Sequence, residues 1–255
     1  MGDFSTSTLF ISEFAGTMLL LLLGVGVSAN TSLKKSFGYG HDWLLVAIGW
    51  GFGVFVGASV AWRSGANLNP AVTLQQAFTG SLPWRFVPVY FAAQLLGAMV
   101  GALLAYLAYK KQFDTHDDPA ATGGIFFTTA AVRAPGWNLV TEAIGTFVLL
   151  LWIQESSPFQ FGVGDAAPQF GNSALGYAAV AFTIIAIGAS LGGPTGYAIN
   201  PFRDLGPRIV YTFLPIKGKG SSQWGYSWIP ITGPLLGVAA AMAFYLAVGN
   251  TVSLG

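Results

Sequence analysis

Long apolar runs broken by short polar stretches dominate the chain. Six of them, near residues 8–29, 42–61, 87–109, 138–154, 174–192 and 229–248, approach the roughly 20 residues that a helix needs to cross the hydrocarbon core. Each predicts a transmembrane helix. Two further apolar pieces, 69–79 and 200–213, each open at an Asn-Pro pair. At about 1.5 Å per residue neither can span a bilayer, so each must enter and return on one side. Irregular backbone is tolerated at that depth only where protein buries it or where it lines a cavity. The first run contains Glu13 and has no basic segment before it, so it reads as a span and not as a signal peptide. The pattern predicts an all-α membrane protein with six transmembrane helices and two re-entrant half-helices.

The two halves of the chain resemble each other. Ser12-Glu13-Phe14-Ala15-Gly16-Thr17 recurs as Thr141-Glu142-Ala143-Ile144-Gly145-Thr146, and Asn69-Pro70 recurs at nearly the same interval as Asn200-Pro201. Three spans per half is an odd number, so the second half enters from the opposite face. The expectation is one channel domain over 1–255, built of inverted repeats at about 1–115 and 130–255, with a central site as inverted-repeat transport proteins have.

Composition narrows the class further. Hydrophobic residues make up 53% of the 255 and charged residues only 8%, too little polar surface for a water-soluble fold of this size. A net charge of +1 without a basic block gives no reason to expect nucleic acid. The absence of cysteine excludes disulfides and thiolate metal sites. His41 and His116 fall in predicted loops and read as solvated. Neither a nucleophile elbow nor a phosphate-binding glycine loop is present, so neither enzyme, cofactor nor metal is expected.

Chemistry concentrates at the Asn-Pro pairs. Asparagine is a favoured N-cap and proline a favoured first helical residue. With their side-chain oxygens capping, the NH2 groups of Asn69 and Asn200 would face the lumen as donors. The positive ends of two half-helix dipoles would converge there and oppose cations. Arg203 is a charge in an apolar neighbourhood, which marks it as functional; the alternative is a salt bridge with Asp204. Asp204 itself reads as structural, near a half-helix N-terminus. Glu13 and Glu142 either anchor the amides of the re-entrant loops, with Gln94 assisting, or relay protons. Gly97 to Gly101 and Gly188 to Gly193 suit close helix packing. Trp43, Trp84, Tyr109, Trp137, Trp152 and Trp228 fall near span ends, as interfacial aromatics do.

Ser64-Gly65-Ala66-Asn67-Leu68-Asn69-Pro70-Ala71-Val72-Thr73 and the stretch from Gly188 to Arg208 resemble the major intrinsic proteins, or aquaporins, and specifically the aquaglyceroporin branch. Glu13, Gln94, Gly97 and Glu142 support the resemblance, which covers nearly the whole chain. It implies an outer filter of Trp50, Gly188, Tyr197 and Arg203, and a central pair of motifs at Asn69-Pro70-Ala71 and Asn200-Pro201-Phe202. An orthodox water channel usually carries histidine where Gly188 stands, and it lacks the aspartate seen as Asp204. In this chain an ungapped match in the loop before the first motif would select Gly49 instead of Trp50. Tyr197 replaces the commoner phenylalanine, which predicts a hydroxyl at the narrowest point. Asn67 stands where histidine is usual. Phe202 stands where alanine is usual, which predicts altered packing between the half-helices.

The resemblance further implies a homotetramer in the plasma membrane with both termini cytoplasmic. That orientation leaves only Arg63 and Arg85 of the eleven Lys and Arg inside, against the positive-inside tendency. It is retained because Arg203 and Arg208 belong to a re-entrant segment. The expected partners are the lipid bilayer and small neutral solutes. The leading expectation is a passive channel for glycerol and similar uncharged molecules, with some water flux and exclusion of ions and protons. Protonated lactic acid, urea, dihydroxyacetone, hydrogen peroxide or water remain as alternative main solutes. From another class, a proton-coupled transporter would use Glu13 or Glu142.

Overall fold

The computed structural model describes residues 4–156 and 174–252. The main helices are α1 (Thr6–Ser32), α2 (Trp43–Val60), α3 (Pro70–Phe78) and α4 (Val87–Ala108), followed by the short α5 (Lys110–Thr115) and α6 (Gly123–Phe126). Then come α7 (Pro135–Glu155), α8 (Ala174–Leu191), α9 (Pro201–Phe213) and α10 (Ile229–Ala247). Among the described residues five helical segments are long and apolar enough to cross a membrane, and α8 contributes the shorter apolar stretch Gly176–Leu191. Together they are the six spans, with α3 and α9 as the half-helices.

Local chemistry fixes where the elements begin. Ser5 caps α1 by accepting from the Thr8 amide, and Asp42 caps α2 by accepting from Leu44 and Leu45. Asn69 and Asn200 cap α3 and α9, each with proline as the first helical residue, where its missing N–H costs no hydrogen bond. At the other end of α9, Lys219 donates to the carbonyls of Tyr211, Thr212 and Leu214, a favourable place for a cation.

The spans pack in matching pairs. α1 lies against α4 and α2, α7 lies against α10, and α9 wedges against α4 while α3 touches α10. Lipid gives helices no hydrophobic reason to associate, so close approach must come from small residues. A Cβ at Gly97 or Gly101 of α4 would lie 2.5 Å from the Phe14 carbonyl or 2.3 Å from the Met18 carbonyl of α1. The α1–α2 crossing is as tight, because a Cβ at Gly57 would sit 2.4 Å from the Gly16 carbonyl oxygen. Backbone cannot yield as a side chain can. Gly57→Ala is therefore expected to destabilise the fold by about 1–3 kcal/mol, read as a lower melting temperature in detergent; an unchanged melting curve would contradict this packing.

Two expectations need correction. His116 is half-buried, and its Nδ1 accepts the Lys34 amide at 3.3 Å, so it pins the chain after α5 to the end of α1. Beside it the Lys34 ammonium pairs with Asp117 and holds that carboxyl below the usual carboxylate range. The pair is exposed and contributes little to stability. Gly188 and Gly192 also differ from the expected helix-packing role. The space their missing Cβ atoms leave is filled by the ring of Tyr197 and, at Gly192, by that of Trp43 as well.

Candidate functional site

The N-termini of α3 and α9 meet, and the two asparagines do more than cap. Asn69 Oδ1 accepts from the Ala71 amide at 2.9 Å, and Asn200 Oδ1 accepts from Phe202 and Arg203 at 3.0 and 3.1 Å. Each side-chain NH2 then reaches across. Asn69 Nδ2 donates to the Ile199 carbonyl and Asn200 Nδ2 to the Leu68 carbonyl, both at 2.8 Å. This corrects the expectation that both amide groups face the lumen whole. One proton of each ties down the opposite loop, and the second remains as a donor.

The loops that lead into the half-helices alternate in backbone hand. Ala66, Leu68, Tyr197 and Ile199 all have positive φ, at 55°, 53°, 39° and 45°, which costs of order 1–3 kcal/mol each for such residues. Buried carboxylates hold them. Glu13 accepts from the amides of Asn67 and Leu68 at 2.9 and 2.8 Å, from Ser64 Oγ at 2.6 Å and from Gln94 Nε2 at 2.8 Å. Glu142 accepts from the amides of Ala198 and Ile199 at 3.0 and 2.9 Å. In a trans peptide the carbonyl points opposite to the N–H. Amides turned back to Glu13 and Glu142 therefore aim the carbonyls of Ala66, Asn67, Tyr197 and Ala198 away from those carboxylates, into the space between the loops.

That space is a cavity of about 150 Å³. Trp50, Tyr197 and Arg203 line it, with Asn69 and Asn200 at the meeting half-helix N-termini and Gln76, Ile153 and Tyr177. Where the spans α1, α2, α7 and α8 form the wall it is apolar, lined by Leu20, Val54, Ala58, Leu149, Val180 and Ile184. One side offers hydrogen bonds and the other offers none. Asn67 also lines the cavity, with its Nδ2 donating to Thr73 Oγ1 at 3.2 Å.

Arg203 is only 9% exposed, and its guanidinium carbon lies 3.9 Å from the centre of a Trp50 ring. Among the described residues its guanidinium donates no hydrogen bond, so its fork of N–H groups remains available to the cavity. The expected alternative, a salt bridge with Asp204, does not form. Asp204 pairs instead with Arg208, at 2.7 Å from Nε and 2.9 Å from the second nitrogen, and accepts from the Thr128 amide and hydroxyl. Arg208 is fully buried, lies over Phe127 and donates to the carbonyls of Thr128, Ser222 and Gln223. Its structural role escaped the sequence reading, although the i,i+4 spacing from Asp204 was the available signal.

The remaining candidates are placed as follows. Trp50 faces the cavity, donates from Nε1 to Ser28 Oγ at 3.1 Å, and rests where a Gly24 Cβ would be. Gly49 instead packs on Val27. Gly188 lies behind the wall, with Tyr197 occupying its space. The Tyr197 hydroxyl is turned against Gly188, buried and without a partner among the described residues, so the expected hydroxyl at the narrowest point is absent there. Phe202 points away from the cavity and meets Phe91 of α4 edge-on at 5.6 Å; it packs against a span and not between the half-helices. Ala71 is buried against Leu150 and Val238. Gln94 Nε2 bridges Glu13 and Thr73 Oγ1.

Fold and site together define a helical membrane protein with a narrow, two-sided cavity between opposed half-helices. Residues 3–245 match the family model described as major intrinsic protein, and the chain belongs to that family. It is 49% identical over 239 residues to the glycerol uptake facilitator protein of Bacillus subtilis, covering 93% of this chain and 84% of that one. It is 47% identical over 239 residues to the probable glycerol uptake facilitator protein of Thermotoga maritima, covering 93% and 98%. The X-ray structure of the aquaglyceroporin from Plasmodium falciparum superposes with a TM-score of 0.76 at 32% identity, covering 94% of this chain and 96% of that chain.

Proposed function

We propose that this protein is a passive channel for glycerol and similarly sized neutral solutes, with Trp50, Tyr197 and Arg203 as its filter and Gly188 making room for Tyr197. The observation that carries the reading is the two-sided wall. A polyol has hydroxyls along one edge and C–H groups along the other. Its hydroxyls meet the Arg203 fork, the two asparagine NH2 groups and the loop carbonyls, while its carbon edge slides over aromatic and aliphatic side chains. Cations are opposed by Arg203 and by the two half-helix N-termini.

The carrier alternative is disfavoured by where its carboxylates lie. Glu13 and Glu142 stand behind the loops, outside the cavity wall, and both oxygens of each accept from loop amides. They anchor the pore backbone. The reading extends to one domain of inverted repeats at about 1–115 and 130–255, supported by the paired Glu and Asn contacts. It also extends to a plasma-membrane homotetramer with cytoplasmic termini, supported by family membership and by exposed apolar side chains such as Phe52 on α2 and Phe182 on α8.

A permeability panel of water, glycerol, urea and lactic acid at low and neutral pH tests the substrate. Proteoliposomes are expected to pass glycerol well above empty vesicles at both pH values. Flux confined to lactic acid at low pH, or to water, would replace glycerol as the main solute.

A further inference from the structure

We propose that Trp43 is a positioning residue for solute selectivity, holding the Tyr197 ring at the filter without itself reaching the cavity. The proposal rests on the channel reading above. Three observations carry it. The Trp43 ring meets the Tyr197 ring edge-on, with centroids 5.8 Å apart and planes at 81°. Its indole N–H donates to the Gly188 carbonyl at 2.7 Å, in the last turn of α8. A Cβ on Gly192 would lie 2.6 Å from Tyr197 Cδ1 and 2.7 Å from Trp43 Cζ2, so both rings press into one slot.

Tyr197 needs such support. Its backbone sits at φ 39° and its hydroxyl has no partner among the described residues, so its own polar group does not lock the ring. Gly188 and Gly192 form the floor of the slot and Trp43 forms its side. With its N–H fixed on Gly188, the indole cannot swing outward although it is 41% exposed. Removing Trp43 opens space beside Tyr197 into which that ring can retreat, and the filter widens. An interfacial-belt residue or a simple helix cap would have no such effect on solute size.

The test uses the full chain in proteoliposomes, with glycerol and meso-erythritol permeabilities measured by stopped-flow light scattering. Trp43→Ala is expected to raise the erythritol-to-glycerol ratio by about two- to tenfold, the equivalent of one edge-to-face aromatic contact. Trp43→Phe keeps an aromatic edge but loses the N–H that anchors the ring on Gly188, and is expected to give a ratio between the wild-type and alanine values. Trp43→Leu keeps bulk without the aromatic edge and is expected to move toward the alanine value. Trp137→Ala, at an exposed belt position away from the slot, controls for interfacial anchoring. An unchanged ratio in Trp43→Ala or Trp43→Leu, or an equal shift in Trp137→Ala, would overturn the proposal. Fluorotyrosine labelling reads the same claim without transport. The Tyr197 fluorine line, assigned with Tyr197→Phe, is expected to broaden or split in Trp43→Leu, and an unchanged line would overturn it. A wild-type protein that passes neither solute contradicts the channel reading alone, and the fluorine line then decides the role of Trp43.

Discussion

Replacing Glu13 with alanine is expected to remove the folded channel, not merely slow it. Four donors converge on this carboxylate, from Ser64, Asn67, Leu68 and Gln94. The Asn67 and Leu68 amides and one Gln94 N–H would be left buried without an acceptor, at about 1–3 kcal/mol apiece; Ser64 Oγ would fall back on the Ala61 carbonyl, and the left-handed residues Ala66 and Leu68 would lose what holds them. The total rivals the whole stability of a typical domain, about 5–15 kcal/mol. The readout is the yield of monodisperse protein and its melting temperature in detergent. Glu13→Gln sharpens the point. An amide presents an oxygen to one pair of donors and an NH2 to the other, so it too should melt well below the wild type. A proton carrier would behave differently, keeping its stability in Glu13→Gln and losing only a dependence on the proton gradient.

Arg203→Ala should have the second-largest effect, on what the channel rejects. At about 6 Å and an effective dielectric of about 20, one unit charge opposes another by about 3 kcal/mol, on the order of 100-fold in rate. Proton leak, followed with a pH-sensitive dye in vesicles held at a fixed potential, is expected to rise toward that limit while glycerol still passes. Exclusion should weaken and not vanish, because the N-termini of α3 and α9 still face each other. Arg203→Lys is expected to restore the barrier but to bind polyol hydroxyls less well, since the fork geometry is lost. An unchanged leak with intact glycerol flux would count against the filter role.

The spans were legible because lipid demands apolar length, and the half-helices because Asn-Pro announces a helix start that the following residues are too few to carry across. The ends of α1 to α4 and α7 to α10 fall within about three residues of the expected ranges, within the usual uncertainty of such boundaries. The site was only partly legible, for physical reasons. None of Ala66, Leu68, Tyr197 and Ile199 is glycine, so no local signal announces their left-handed backbone; Glu13 and Glu142 impose it from other helices. Arg203 and Arg208 share one helix, and which of them takes Asp204 depends on helix face and on the approach of Thr128. Phe202 looked central because it follows Asn200-Pro201. Its direction is set by Phe91, more than a hundred residues earlier in the chain. Likewise the room left by Gly188 is meaningful only once Tyr197 is seen to fill it.

The central claim is that neutral solute crosses passively between the two half-helices. Uptake of radiolabelled glycerol into proteoliposomes, with and without an imposed proton gradient, tests it most directly. The account predicts rapid equilibration to the external concentration, a rate proportional to that concentration, and no response to the gradient. Accumulation above the external level, or uptake no faster than in empty vesicles, would contradict it.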